Sequence, residues 1–246
     1  GWMHDFLEYM KLDPYFRKFN HGKMTFSLMY AYSENFILVL SHDEVVHLKC
    51  SMLGKMPGDR EDKFANLKLA YAYMCGHPGK KLLFMGQEFG QWNEWSEKRA
   101  LDWYLLEDDS HKELKDFTKA CLILNKKYRC LYETDYSPEG FRWINANDKD
   151  NSVFSFIRIS PDKKRHLLFV FNFTPVERPN HRIGVPVKGK YKLVLGDDMK
   201  NQKKTLTSVR GECDGYKESL LIDLHRYGIA VYEFNGDVNA HKPTKI

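Results

Sequence analysis

The chain has 246 residues, of which 43% are hydrophobic and 29% charged, the composition of a soluble globular protein with one large domain or two smaller ones. Aromatic residues make up 14% of the chain, and this much ring surface excludes a disordered polypeptide. The net charge of +5 is spread over separate lysine pairs, so the sequence predicts no nucleic-acid partner. No apolar run is long enough to cross a bilayer, so it predicts no membrane partner.

The first half of the chain predicts helices alternating with short buried strands. Apolar residues at helical spacing predict a helix over residues 2–10, which has no capping residue before it and indicates a piece of a longer chain. The run 36–40 is apolar throughout, as in a parallel strand covered on both faces. A helix over 59–73 and a second apolar run, 82–85, complete a predicted right-handed βαβ unit. A further helix is predicted over 111–128.

Beyond residue 137 the hydrophobic period changes from helical to alternating. Val153, Ser155 and Ile157 alternate with Phe154 and Phe156, as in a β-strand. Similar signals at 167–173, 182–187, 191–195, 220–224 and 229–234 predict an antiparallel sandwich of about seven strands. The predicted fold class is therefore α/β plus all-β, with domains 1–137 and 138–246.

The cysteines indicate a reducing compartment. There are five, widely spaced and without a Cys-x-x-Cys pair, so we expect reduced, buried thiols rather than disulfides or a zinc site. No signal peptide is visible, and we expect a cytoplasmic protein. The glycosylation sequon at Asn172 is accordingly interpreted as part of a strand.

Polar residues follow both predicted parallel strands, at the edge where α/β folds collect their functional groups. His42 and Asp43 follow the first strand, and Glu88 follows the second. On residue type alone, Asp43 could equally be a solvent-facing loop carboxylate or a helix cap, and His42 an ordinary hydrogen-bonded histidine. The pair His42 and His47 does not form a zinc motif, because a spacing of five separates the rings on a helix.

A tryptophan-rich segment follows Glu88 and includes Trp92 and Trp95. Aromatic faces stack on sugar C–H surfaces while neighbouring amides and carboxylates bind hydroxyls, so this loop suits a carbohydrate. The alternative is that the tryptophans fix a long loop by burying apolar area. Composition does not separate these two interpretations.

Several longer segments together closely resemble the bacterial glycogen-branching members of the α-amylase family. The segments are Gly1–Asp5, Leu40–His47, Met56–Asp59, Lys80–Phe89, Leu101–Trp103 and Asn172–Pro175. The resemblance covers essentially the whole chain in the family's order. It implies the last two strands of a (β/α)₈ barrel followed by a C-terminal β-sandwich. Leu48 and Cys50 depart from the family, since many members have Gly and Lys there.

The resemblance also implies roles for the polar residues. Asp43 matches the family's third catalytic acid, which stabilises the transition state, and His42 matches the histidine that binds the sugar at the cleavage subsite. Glu88, Trp92 and Trp95 match the rim of the glucan groove. The implied partner is an α-glucan such as glycogen or amylose, with no cofactor or metal.

By the same resemblance, the nucleophilic Asp and the acid/base Glu lie on the fourth and fifth barrel strands, upstream of Gly1. A retaining mechanism needs both carboxyls, about 5 Å apart, and Asp43 supplies neither role. We therefore expect the missing N-terminal part of the barrel to be a partner of this chain, and the chain alone to be inactive. Two alternatives remain open at this point: a fragment of a hydrolysing or debranching enzyme, and a non-catalytic glucan-binding module.

Overall fold

The computed structural model describes residues 1–240, which divide into two compact units, 1–123 and the described residues from 124 onward. The division falls within a long helix, whereas the predicted boundary at residue 137 lies nearer the first strand of the second unit. The domain boundary at 137 stays a prediction. Among the described residues, no helix is long and apolar enough to cross a membrane.

The first unit contains six α-helices and a two-stranded sheet among the described residues. The helices are α1 (Trp2–Lys11), α2 (Pro14–Arg17), α3 (Gly22–Thr25), α4 (Met52–Lys55), α5 (Arg60–Gly76) and α6 (Asp109–Lys127), the last of which extends into the second unit. Strands β1 (Ile37–Leu40) and β2 (Lys80–Leu83) pair in parallel. Short 3₁₀ turns lie at 26–29, 42–44, 87–89 and 103–107. All five predicted elements of this half are found, with β2 beginning two residues earlier than expected.

Helix α5 crosses from β1 to β2 and is fixed at both ends by local sequence. The Asp59 side chain caps its start by accepting the N–H of Asp62 at 2.9 Å. Pro78 follows its end, where the chain turns into β2. The parallel pairing confirms the βαβ unit, and the handedness of its crossover stays a prediction.

The expectation that both faces of these strands are covered was wrong for the described residues. Leu38 and Leu40 are buried, but Ile37 is 55% exposed and Leu82 40% exposed. Burial alternates along both strands because other elements pack against only one face of this sheet. The sheet also ends after two strands, so each strand has one unpaired edge among the described residues.

The second unit is an antiparallel arrangement of nine strands in the described range. They are β3 (Phe141–Asn145), β4 (Val153–Arg158), β5 (His166–Asn172), β6 (Arg178–Val185), β7 (Lys190–Gly196), β8 (Thr205–Thr207), β9 (Val209–Cys213), β10 (Tyr216–Leu224) and β11 (Ile229–Phe234). One sheet has the order β3-β4-β5-β11-β7-β8 and the other β6-β10-β9. Aliphatic side chains of the two sheets, including Ile157, Val170 and Leu220, form one core. The predicted antiparallel sheets are confirmed, with more strands than the expected seven.

The two faces of β4 and β5 carry different side chains, as the alternation in the sequence predicts. The aliphatic face joins the core, and the opposite face is a layer of rings in which Phe156 stacks on Phe169 with centroids 5.1 Å apart. The rings of this layer are fully buried: Phe154, Phe156, Phe169, Phe171 and Phe173. Both faces of these strands are therefore buried, rather than one facing solvent.

Two buried polar groups of the second unit have defined partners. Arg158, at the end of β4, places Nη2 2.9 Å from Oδ1 of Asp135, and both side chains are at most 1% exposed. The ring of His166 accepts the N–H of Ser160 at Nδ1 (3.1 Å), and Nε2 lies 3.0 Å from the carbonyl of Gly236, to which it therefore donates. Burial lowers the pKa of the His166 imidazole, and its hydrogen bond to the carbonyl of Gly236 partly opposes this shift.

The expectations for cysteine and for the sequon are largely met. All five cysteines are free, and three of them are buried, but Cys50 is exposed. Asn172 is the buried last residue of β5, which confirms that the sequon lies in a strand. Its side-chain amide donates to the carbonyls of Val176 and His225 at 2.7 and 2.8 Å.

Candidate functional site

The candidate site begins where β1 ends. Ser41 leaves the strand and caps the 3₁₀ turn His42–Glu44, accepting the N–H of Asp43 at 3.3 Å and donating its hydroxyl to Asp43 Oδ2 at 3.2 Å. The other carboxylate oxygen, Oδ1, lies 3.3 Å from Nε2 of His42. Both side chains are more than half exposed, so the acid and the imidazole form an adjacent pair that is open to solvent.

The next residue of the turn, Glu44, is a buried acid. The side chain of Glu44 is only 8% exposed, and its oxygens lie within 4.0 Å of four basic side chains: His4, Lys11, Lys49 and Lys55. Burial, followed by repulsion from Lys11, lowers the pKa of Lys55, and Glu44 partly opposes this shift. Lys49 also donates to the backbone carbonyl of Asp43 at 2.8 Å. The turn that carries Asp43 is therefore tied to a cluster of charges beneath it.

An aromatic row extends from His42 toward the tryptophan-rich loop. The ring of Phe84, which follows β2, lies 5.6 Å from that of His42 and 5.1 Å from that of Trp95. The N–H of Trp95 donates to the carbonyl of Val45 at 2.9 Å. Phe84, directly after β2, thus lies between His42 and Trp95, whereas Glu88, the residue predicted from the end of β2, has its carbonyl bound to α6.

The other two predicted residues contact a different part of the unit. Trp92 is 37% exposed and lies edge-on to Phe64 and His111 of α5 and α6, with centroids 6.2 and 6.1 Å away. The carbonyl of Glu88 accepts the hydroxyl of Thr118 of α6 at 3.2 Å. These contacts favour the interpretation in which Trp92 fixes its loop, while the ring of Trp95 contacts Phe84.

The tryptophan-rich loop holds its shape through amide side chains and glycines. Oε1 of Gln91 accepts the N–H of Asp102 at 3.0 Å, and Nδ2 of Asn93 donates to Oδ2 of Asp102 at 2.8 Å. Gly90 has φ +70°, and a Cβ there would lie 2.7 Å from Cδ2 of Leu114. Hydrogen bonds within the loop thus fix its conformation, and Gly90 lets it pack closely against Leu114 of α6.

The loop after Asp43 has an unusual backbone that the sequence did not reveal. His47, Leu48 and Cys50 have φ values of 56°, 65° and 66°, in the left-handed region that favours glycine. The Glu94 carboxylate accepts the N–H of Leu48 at 3.1 Å and that of Cys50 at 2.7 Å. Sequence reasoning missed Glu94, and the available signal was Leu48, which stands where the resemblance implies glycine.

No group of three or more His, Cys, Asp or Glu side chains among residues 1–240 could hold a metal ion. His42 lies in a 3₁₀ turn and His47 in a left-handed loop, so the two histidines do not share a helix.

The fold and the second unit identify the class of protein. Residues 143–235 match the α-amylase C-terminal all-beta domain family. Among solved structures, the fold is similar to AmyP in complex with maltose, with TM-score 0.63 and 11% identity over 99% of this chain and 50% of that one. It is also similar to a debranching enzyme from Nostoc punctiforme, with TM-score 0.53 and 14% identity over 80% of this chain and 35% of that one. The second unit is thus an all-beta domain of the class found at the C-terminus of α-amylases.

Sequence relatives narrow the class. The chain is 52% identical over 241 residues to the 1,4-alpha-glucan branching enzyme of Butyrivibrio fibrisolvens, covering 95% of this chain and 38% of that protein. It is 53% identical to the Synechococcus sp. enzyme, covering 80% of this chain and 26% of that protein, and 46% identical to a Bacillus cereus enzyme, covering 94% and 37%. The chain belongs to the 1,4-alpha-glucan branching enzyme family. It spans less than two fifths of the length of these relatives.

Proposed function

We propose that this chain is a portion of a 1,4-alpha-glucan branching enzyme. The whole enzyme cleaves an α-1,4 link in a linear glucan and transfers the released segment to a C6 hydroxyl, which forms an α-1,6 branch in glycogen. The nucleophile and the acid/base carboxyl lie in the part of the enzyme that this chain does not span, so the chain alone is inactive. The identity of about half to the branching enzymes, which includes the region of Asp43, supports this proposal over a hydrolysing or debranching enzyme.

Within this proposal, β1 and β2 are the last two strands of the (β/α)₈ barrel. Their parallel pairing, the α5 crossover and the polar residues at their carboxyl ends are features of such a barrel. The unpaired edges and the exposed Ile37 and Leu82 are where further strands and side chains of the barrel would pack.

Asp43 stabilises the transition state in this mechanism. As the glycosidic bond breaks, positive charge develops on the sugar ring, and a carboxylate fixed nearby lowers the energy of that charge without reorganisation. The hydrogen bond from Ser41 and the contact with His42 hold the carboxylate in one orientation. His42 binds a sugar hydroxyl through its imidazole, and Trp95 offers a ring face to the glucan. Glu88 and Trp92 stay predictions as residues at the rim of the groove.

A chimera tests the proposal. The segment of the Butyrivibrio fibrisolvens enzyme that matches this chain is replaced by the chain itself, and branching of amylose is followed by loss of iodine colour and by the NMR signal of α-1,6 linkages. We expect activity in the chimera, none in the isolated chain, and a loss of about 10²–10³-fold in kcat for Asp43→Asn. Asp109→Asn, which neutralises a carboxylate that is 91% exposed at the start of α6, is the matched control.

Each alternative gives a different result. Release of short sugars without α-1,6 linkages indicates a hydrolase. Retention of the isolated chain on an amylose gel, together with a correctly folded but inactive chimera, indicates a glucan-binding module. A chimera whose activity is unchanged by Asp43→Asn contradicts the role given to that residue.

A further inference from the structure

The carboxylate of Glu94 joins two loops that are far apart in the sequence. Its Oε2 accepts the N–H of Leu48, 46 positions away, and its Oε1 accepts that of Cys50, 44 positions away. The backbone of Glu94 is held in turn, because Nη2 of Arg99 donates to its carbonyl at 2.6 Å. The next residue, Trp95, donates its N–H to Val45 at the other end of the same loop. Three hydrogen bonds thus connect the tryptophan-rich loop to the loop after Asp43.

The conformation of residues 47–50 explains why an anion lies there. Left-handed residues turn neighbouring N–H groups toward one side of the chain, where they form a concave site for an anion. His47, Leu48 and Cys50 all have side chains, so each adopts this conformation at a steric cost. Strained backbone of this kind persists when surrounding contacts fix it, and the Glu94 carboxylate supplies two such contacts at 3.1 and 2.7 Å.

The held segment leads directly to the proposed stabilising acid. Lys49 lies between the two residues that Glu94 binds, and its Nζ donates to the carbonyl of Asp43 at 2.8 Å. The same Nζ lies 3.6 Å from Oε1 of the buried Glu44. A continuous set of contacts therefore runs from Glu94, through the loop and Lys49, to the turn that carries Asp43.

We propose that Glu94 is a positioning residue, which fixes the orientation of Asp43 by holding the loop that contains the left-handed residues His47, Leu48 and Cys50. This inference rests on the proposed function, since it assigns Glu94 to the same reaction. Glu94 uses both carboxylate oxygens on backbone N–H groups, so it acts through the loop and not on the glucan. Its loss therefore lowers kcat and changes the KM for glucan little.

The test uses the chimera described above, with Glu94→Gln as the variant and Glu97→Gln as the control. Glutamine keeps the shape of the side chain but loses the charge and one of the two acceptors. Glu97 is exposed on the same loop, so its neutralisation changes the local charge equally. We expect Glu94→Gln to lower kcat by about 10–100-fold with KM within about threefold of wild type, because a displaced stabilising group acts mainly in the transition state.

A second measurement is independent of catalysis. Hydrogen exchange of the Cys50 amide, followed by NMR in the 246-residue chain, is expected to accelerate at least about tenfold in Glu94→Gln and not in Glu97→Gln. An additional Leu48→Gly substitution relieves strain in the held loop, so it is expected to restore part of the kcat lost in Glu94→Gln.

The outcomes separate the two proposals. A wild-type chimera without branching activity overturns the proposed function, and this inference with it. An active wild type whose Glu94→Gln variant keeps the kcat of the Glu97→Gln control overturns the inference alone. Unchanged exchange of the Cys50 amide in Glu94→Gln also overturns it, since the carboxylate would not then be holding the loop.

Discussion

Replacing Leu48 by glycine is expected to stabilise the first unit. Leu48 has φ +65° and a side chain that is 96% exposed, so the substitution removes backbone strain and almost no buried surface. The left-handed conformation costs an L-residue about 1–2 kcal/mol, and glycine loses about 0.5–1 kcal/mol through the greater entropy of its unfolded chain. The net gain in the free energy of unfolding is therefore about 0.5–1 kcal/mol.

Urea unfolding followed by tryptophan fluorescence measures this change. Four of the five tryptophans lie in the first unit, so a Trp143→Phe background makes the signal specific to that unit. Leu48→Ala is the control, because it removes the exposed side chain but keeps the Cβ that causes the strain. If Leu48→Gly is no more stable than Leu48→Ala, the left-handed backbone is not the source of the effect and the reasoning is refuted.

Three further predictions concern buried groups. Asp135→Ala is expected to lower the free energy of unfolding of the second unit by about 3–5 kcal/mol in urea unfolding, because the buried guanidinium of Arg158 loses its carboxylate partner. The double variant Asp135→Ala with Arg158→Met is expected to recover most of the lost free energy of unfolding. The pKa of His166 is lowered in the folded state, so the unfolded state takes up the proton first as the pH falls. The free energy of unfolding therefore decreases as the pH drops below 6.5. The variant His166→Gln is expected to remove up to about 1.4 kcal/mol per pH unit of this pH dependence. Gly90→Ala is expected to cost about 1–3 kcal/mol, since its Cβ would meet Leu114.

Each of these has a contrary result. If the double variant is no more stable than Asp135→Ala, the unpaired buried guanidinium of Arg158 is not the cause of the lost stability. Equal pH slopes between pH 7 and 5 for wild type and His166→Gln exclude the imidazole as their source. A Gly90→Ala variant with wild-type stability would show that the contact with Leu114 relaxes freely.

The sequence predicts elements best where the residue types along the chain follow a simple period. Helix α5 and strand β4 have clear periods and were found nearly at their bounds. Strand β9 was missed because its residues are largely exposed and it carries Gly211, so no apolar alternation marks it. β8, with three residues, is too short to show a period.

Some features of the candidate site could likewise be predicted from the sequence, and others could not. The sequence predicts that His42 and Asp43 lie near the end of β2, because parallel strands end at one edge of a sheet, and the ring of His42 lies 5.6 Å from that of Phe84, which follows β2. The separation of Trp92 from Trp95 could not be predicted, since it depends on which wall each ring meets in three dimensions. Glu94 was missed because its partners are backbone N–H groups, whose directions depend on φ angles that residue types do not reveal.

The sequon residue Asn172 has a practical consequence for making this protein in eukaryotic secretory hosts. Its amide nitrogen already donates one hydrogen to each of two carbonyls inside the second unit, so an oligosaccharide attached there would replace one hydrogen and leave one carbonyl without its donor. Transfer of the sugar can therefore occur only while strand β5 is still unfolded, and the attached sugar would then block native folding. The glycosylated fraction in such a host would report how quickly this strand becomes inaccessible after synthesis.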